Sequence, residues 1–75
     1  EKMKFYDRLK STRIDADDPQ PQIADELGIT RQQYQLYESG KRSFPIDLLP
    51  VFCSHYNVSA DYILGLKQGL SWPRP

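Results

Sequence analysis

The sequence predicts an all-α fold: a compact unit of five short helices around one core. Two observations carry that expectation. Apolar residues recur three and four positions apart, the spacing of one helix face, and not at alternate positions. Residues suited to helix ends (Thr30, Ser59, Gly28, Gly40 and Asn57) cut the chain into short segments, with no stretch that reads as a useful strand. At 75 residues there is room for one domain.

The first helix is expected over about Lys4 to Arg13. Phe5 and Leu9, with Met3 and Ile14, give it an apolar face, and Lys4, Arg8 and Lys10 lie outside. The polar, proline-bearing "DADDPQP" ends it. Asp18 then reads as an N-cap with Pro19 at the first helical position, where a missing N–H costs nothing. This second helix runs to about Leu27 and stops at Gly28. Thr30 caps the third helix, which ends near Ser39 with Gly40 closing it. Pro50 cannot sit deep in a helix, so the fourth helix is expected to start near Asp47 or Leu48, after an extended "FPI" connector. Asn57 ends it, and Ser59 caps a fifth helix in "ADYILGL". The predicted core holds Phe5, Leu9, Ile23, Ala24, Leu27, Ile29, Tyr34, Tyr37, Leu49, Phe52, Val58, Ile63 and Leu64. Tyr6, Tyr56 and Tyr62 are expected to be partly buried. Residues 1–66 make the domain, and 67–75 read as a tail or the start of a linker.

Ten Lys and Arg balance ten Asp and Glu, so no global field draws the chain to a polyanion, and any such partner must meet a local patch. Cys53 is a lone thiol in an apolar stretch and reads as a small buried hydrophobe. His55 reads as a surface residue near a helix end. No metal-ligand cluster, nucleophile–base pair or phosphate loop appears. An enzyme, a metal and a cofactor are therefore not expected. The lone cysteine fits a reducing, cytoplasmic setting. No apolar run approaches a membrane span, so no membrane partner is expected.

The middle of the chain carries the most information. Counting from Gln20, apolar residues fall at Ile23, Leu27, Ile29, Tyr34 and Tyr37. Small Ala24 suits a close crossing of two helices, and Gly28 suits the tight turn between them. This is the spacing of a helix-turn-helix over residues 20–39. Projected at 100° per residue, the third helix turns Tyr34 and Tyr37 inward. Gln32 and Ser39 lie opposite, flanked by Gln35 and Leu36, with Arg31 at the N-terminal corner and Gln33 pointing sideways. Glu38 falls about 40° from Tyr34, where an unpaired carboxylate would be costly.

On these residues, "PQIADELGITRQQYQLYESGKR" resembles the helix-turn-helix of the lambda-repressor/Cro-like, or XRE, family. The resemblance extends over about Phe5 to Leu66, because "LLPVFCSHYNVSADYILGL" is similar to the family's fourth and fifth helices. It implies sequence-specific binding of double-stranded DNA by a repressor-like transcriptional regulator. The third helix would enter the major groove, with Arg31, Gln32, Gln35 and Leu36 on base edges. Gln20, Thr30, Ser39, Lys41 and Arg42 would meet phosphates. The resemblance further implies an ion pair between Arg13 and Glu38. It also implies a homodimer on a two-fold operator, forming only on DNA where no further domain supports it; the pairing surface expected here is the C-terminal part near Tyr56, Leu64 and Leu66, with Leu70 and Trp72 as extra anchors.

Gln and Arg are also ordinary residues of a solvated helix face, and only the surrounding motif gives them another reading. Asp15, Asp17 and Asp18 crowd the approach to Gln20, and Pro19 and Pro21 remove nearby N–H donors. A protein-interaction module on the same fold, with weak or partner-dependent DNA binding, therefore stands as the alternative.

Overall fold

A computed structural model describes residues 3–66. Its elements are α1 (Phe5–Asp15), α2 (Gln20–Leu27), α3 (Arg31–Glu38), a single 3-10 turn (Ile46–Leu48), α4 (Leu49–Tyr56) and α5 (Ala60–Leu64). No strand occurs among the described residues. The fold is the all-α, five-helix arrangement that the periodicity predicts. None of these helices is long and apolar enough to cross a membrane.

Helix α1 starts where the Asp7 carboxylate accepts the Lys4 N–H at 3.0 Å. It runs to Asp15, two residues past the expected end. Asp17 then reverses the chain at φ 57°, a left-handed conformation that aspartate tolerates better than most side chains. Asp18 is not the N-cap of α2; Pro19 holds that place. A tertiary contact takes the Asp18 carboxylate instead. It accepts the Tyr56 hydroxyl at 2.8 Å and lies 3.1 Å from His55 Nε2, tying the α1–α2 turn to α4.

Gly28 ends α2 at φ 72°, and Asn57 ends α4 at φ 56°. Pro50 occupies the second position of α4, where its absent N–H goes unmissed, and the 3-10 turn leads into it. Ser59 accepts the Tyr62 N–H and caps α5.

The core consists of Leu9, Ile23, Ala24, Leu27, Tyr34, Leu49, Phe52, Cys53 and Ile63. Phe5, Ile29 and Val58 pack against it only partly buried, and Tyr37 is half-buried. Leu64 is 41% exposed and is not a core residue. In so short a helix as α5 only the Ile63 side faces inward, and Leu64 lies about 100° away. For the same reason Tyr62 is exposed, not half-buried. Ile14 and Met3 also face solvent, so the inner side of α1 is narrower than expected. Leu70 and Trp72 lie outside the described residues.

The connector before α4 contributes more than a link. Phe44 sits among Phe5, Tyr37 and Phe52, with ring centroids 5.9, 5.6 and 6.1 Å away. Phe52 continues the series to Tyr56 at 4.8 Å. Tilted and edge-on pairs of this kind add to the area that the rings bury. They join α1, α3 and α4 through one residue of the connector.

Candidate nucleic-acid interface

Helix α3 is fixed at both ends. At its start, the Gln33 N–H donates to Thr30 Oγ1 at 3.1 Å, and the Thr30 N–H donates back to Gln33 Oε1 at 3.0 Å. This reciprocal capping box satisfies two N–H groups that the helix leaves open. At its end, the N–H groups of Lys41 and Arg42 both donate to the Leu36 carbonyl, at 3.0 and 3.2 Å. The Ser39 hydroxyl donates to the same carbonyl at 3.2 Å. The turn is thus folded back on the helix, with two cations beside the negative end of its dipole. Gly40 makes that possible. Its φ is 81°, and a Cβ there would come within 2.6 Å of the Tyr6 ring.

The inner side of α3 holds fully buried Tyr34 and buried Glu38. Arg31, Gln32, Gln33, Gln35 and Ser39 are exposed, and Leu36 is half-buried among them. The outward side is therefore a continuous row of long polar side chains with one apolar patch. Lys41 and Arg42 are exposed just beyond it. Gln33, Leu36, Tyr37 and Arg42 line a concavity of about 140 Å³ along one flank.

Behind this face lies a buried polar node. Arg13 reaches Glu38 twice, Nε to Oε2 at 2.8 Å and Nη2 to Oε1 at 3.0 Å, and its Nη1 donates to the Asp18 carbonyl at 2.7 Å. Gln20, at the first position of α2, donates from Nε2 to Glu38 Oε1 at 3.0 Å. One carboxylate on α3 thereby orients α1 and the start of α2. Burial by itself would raise the Glu38 pKa. The Arg13 hydrogen bond, the neighbouring Tyr34 hydroxyl and Gln20 outweigh it, so the net shift is downward. Arg13 moves up, chiefly through its bond to Glu38. Burial, then the adjacent Glu38 carboxylate, push the Tyr34 hydroxyl well above its ordinary value. That hydroxyl is close to Glu38 but has no well-formed hydrogen bond of its own. Burial and the Asp18 bond do the same to Tyr56.

The residues singled out in the sequence thus divide by position. Arg31, Gln32, Gln35, Leu36 and Ser39 share the outward side of α3, and Lys41 and Arg42 continue it. Thr30 is exposed, but its hydroxyl is committed to the cap. Gln20 is half-buried, with one amide hydrogen turned inward to Glu38 and its oxygen unengaged among the described residues. Gln33, expected only to point sideways, instead closes the cap of α3 with its side chain. The Thr30-x-x-Gln33 spacing is itself a capping-box signature and could have identified it.

Residues 9–63 match the protein-family model described as helix-turn-helix. The chain is also similar to two curated proteins of Bacillus subtilis (strain 168). One is the uncharacterized HTH-type transcriptional regulator YobD, 36% identical over 62 residues, covering 83% of this chain and 55% of that protein. The other is the SPbeta prophage-derived uncharacterized HTH-type transcriptional regulator YonR, 40% identical over 60 residues, covering 80% of this chain and 56% of that protein. The chain therefore spans about half the length of these curated relatives.

Proposed function

The chain belongs to the XRE-like helix-turn-helix family, and on that premise we propose that it is the DNA-binding domain of a transcriptional regulator that reads double-stranded DNA by sequence. The observation that carries the reading is the outward side of α3. It presents Gln32, Gln35 and Arg31 with half-buried Leu36 on a helix capped at both ends. A major groove about 12 Å wide admits one helix. Gln matches the paired donor and acceptor of adenine, Arg the two acceptors of guanine, and Leu the thymine methyl. Lys41 and Arg42, with Gln20 and Ser39, are assigned to phosphates. The Asp18 carboxylate is engaged by Tyr56 and His55, which relieves part of the acidic crowding before Gln20.

A single domain of this size covers one half-site, so the regulator acts as a dimer on a two-fold operator, its recognition helices about 34 Å apart. Leu64 and Leu66, two of the residues expected at the pairing surface, are exposed at the C-terminal end and support it as the pairing face. The names of the two relatives are consistent with the regulator reading. The zero net charge favours the second reading, a protein-interaction module with weak or partner-dependent DNA binding.

Selection from a random duplex library at low salt tests the proposal. Enrichment of a two-fold sequence, bound as two chains per duplex, is the expected outcome. Enrichment of an undivided site bound by one chain would remove the dimer. Failure to bind any duplex would favour the interaction module.

A further inference from the structure

Gln33 is a glutamine that cannot read adenine. Recognition of adenine takes both ends of the amide, the oxygen accepting from N6 and the nitrogen donating to N7. In Gln33 the oxygen is spent. It accepts the Thr30 N–H at 3.0 Å and lies 3.4 Å from the Thr30 hydroxyl, which accounts for both of its lone pairs. The orientation is fixed by chemistry, because a backbone N–H can only donate and must face the amide oxygen. What Gln33 offers outward is an NH2 group and nothing else.

Its position narrows the acceptor. Gln33 lies about 60° beyond Leu36, on the flank of α3 and not at its centre. A helix with side chains is 10–12 Å across and nearly fills a major groove about 12 Å wide. Its centre therefore faces bases, and its flanks face the phosphate walls. On that flank Gln33 shares a concavity of about 140 Å³ with Leu36, Tyr37 and Arg42. Arg42 is exposed, and its backbone is anchored by the N–H bond to the Leu36 carbonyl. Gln33, whose free group is a neutral NH2 donor, and Arg42, which carries a guanidinium, both line this small hollow, and such a pair suits an anionic oxygen better than a base edge.

We propose that Gln33 and Arg42 together hold one DNA phosphate, so that the capping box of α3 also sets the depth and register of the helix in the groove. This rests on the DNA-binding reading of α3. Gln33 is then a positioning residue: it contributes to affinity and aligns Gln32 and Gln35, without choosing a base.

The test uses the full chain and the duplex recovered from the random library, with a methylphosphonate placed at each linkage in turn. Gln33→Ala removes both the cap and the donor. Gln33→Glu keeps an acceptor for the Thr30 N–H but replaces the donor with a negative charge, so a thermal melt like that of the unaltered chain separates binding from folding, and the uncharged Gln33→Ala separates loss of the donor from charge repulsion. Both variants should lose about tenfold or more in affinity, the scale of a hydrogen bond to a charged group. At one neutralised linkage, the losses from Gln33→Ala and Arg42→Ala should both shrink. Losses that ignore every linkage but follow a base substitution would overturn the proposal in favour of base readout. An unchanged affinity for both Gln33 variants would overturn it while leaving the DNA-binding reading intact. If the unaltered chain binds no duplex, both fall together.

Discussion

Arg13 and Glu38, twenty-five residues apart, meet in a two-pronged ion pair with bonds of 2.8 and 3.0 Å. The Arg13 side chain is 13% exposed and that of Glu38 only 4%, so water screens the pair poorly. Gln20 and the Asp18 carbonyl satisfy further donors and acceptors around it. A buried pair supported in this way is hard to break from one side, because removing one partner strands the other.

Arg13→Met or Glu38→Gln alone should therefore destabilise the domain by about 3–5 kcal/mol, and the double variant by less than the sum. Denaturant titration of the four proteins in the cycle measures the coupling. A coupling near zero would mean that each side chain is held by other groups and that the pair is incidental.

Acid should find the same node. The folded-state pKa of Glu38 lies below its ordinary 4.5, so its ionised form is favoured in the native protein. Its contribution is complete above 4.5 and is lost as pH falls through the depressed value. Tyr34 and Tyr56 act at the other end. Their pKa values are raised above 10.0, so their contribution holds below 10 and fades as pH rises beyond it. Thermal melts against pH should show both edges, and Glu38→Gln should flatten the acid edge selectively. An acid edge of equal slope in that variant would assign it to other carboxylates.

Ala24 is 2% exposed on α2, which packs against α3, and the motif spacing assigns it to their crossing. Ala24→Leu inserts a branched side chain where the two helices are in contact and should cost roughly 1–3 kcal/mol. Wild-type stability in that variant would show that the crossing has spare room.

Much of this fold is written locally. Gly28, Asn57 and Gly65 end helices in left-handed conformations that their residue types accept, and such ends can be read without knowing what lies across the molecule. Phe44 is different. It sits in a connector with no periodicity, and its burial depends on Phe5 and Phe52, which only tertiary packing brings near. Asp18 has the local signature of an N-cap, yet Tyr56, thirty-eight residues on, competes for its carboxylate and wins. Helical projection alone put Glu38 near the inner side of α3, but which group it faces is a long-range fact. The outward row on α3 could be read from projection because it depends only on the helix. The inward bond of Gln20 could not, because it depends on the node.

Gly40 and Gly28 both have positive φ but differ in their surroundings. A Cβ at Gly28 would meet nothing within 4 Å, whereas at Gly40 it would press on Tyr6. Gly28→Ala should cost about 1 kcal/mol of backbone strain, and Gly40→Ala more, up to about 3 kcal/mol. Pairing Gly40→Ala with Tyr6→Leu should recover part of the difference. Equal costs at the two glycines would mean that the Tyr6 ring swings away freely.

Gln32 lies opposite Tyr34 and Tyr37 on α3, and nothing in the fold engages its amide among the described residues. Unlike Gln33, it keeps both a donor and an acceptor, as an adenine contact requires. Gln32→Ala should weaken binding to the selected duplex by about 1–3 kcal/mol and relax preference at one base position. Arg42→Ala should instead weaken every sequence alike and lower the salt slope by about one. Stability should not move in Gln32→Ala, because the residue is exposed and a good helix former replaces another. Binding profiles across single-base variants of the site, at two salt concentrations, separate the two behaviours. If Gln32→Ala lowered affinity for all variants equally, Gln32 would be touching the backbone. Base reading would then have to come from Arg31 and Gln35.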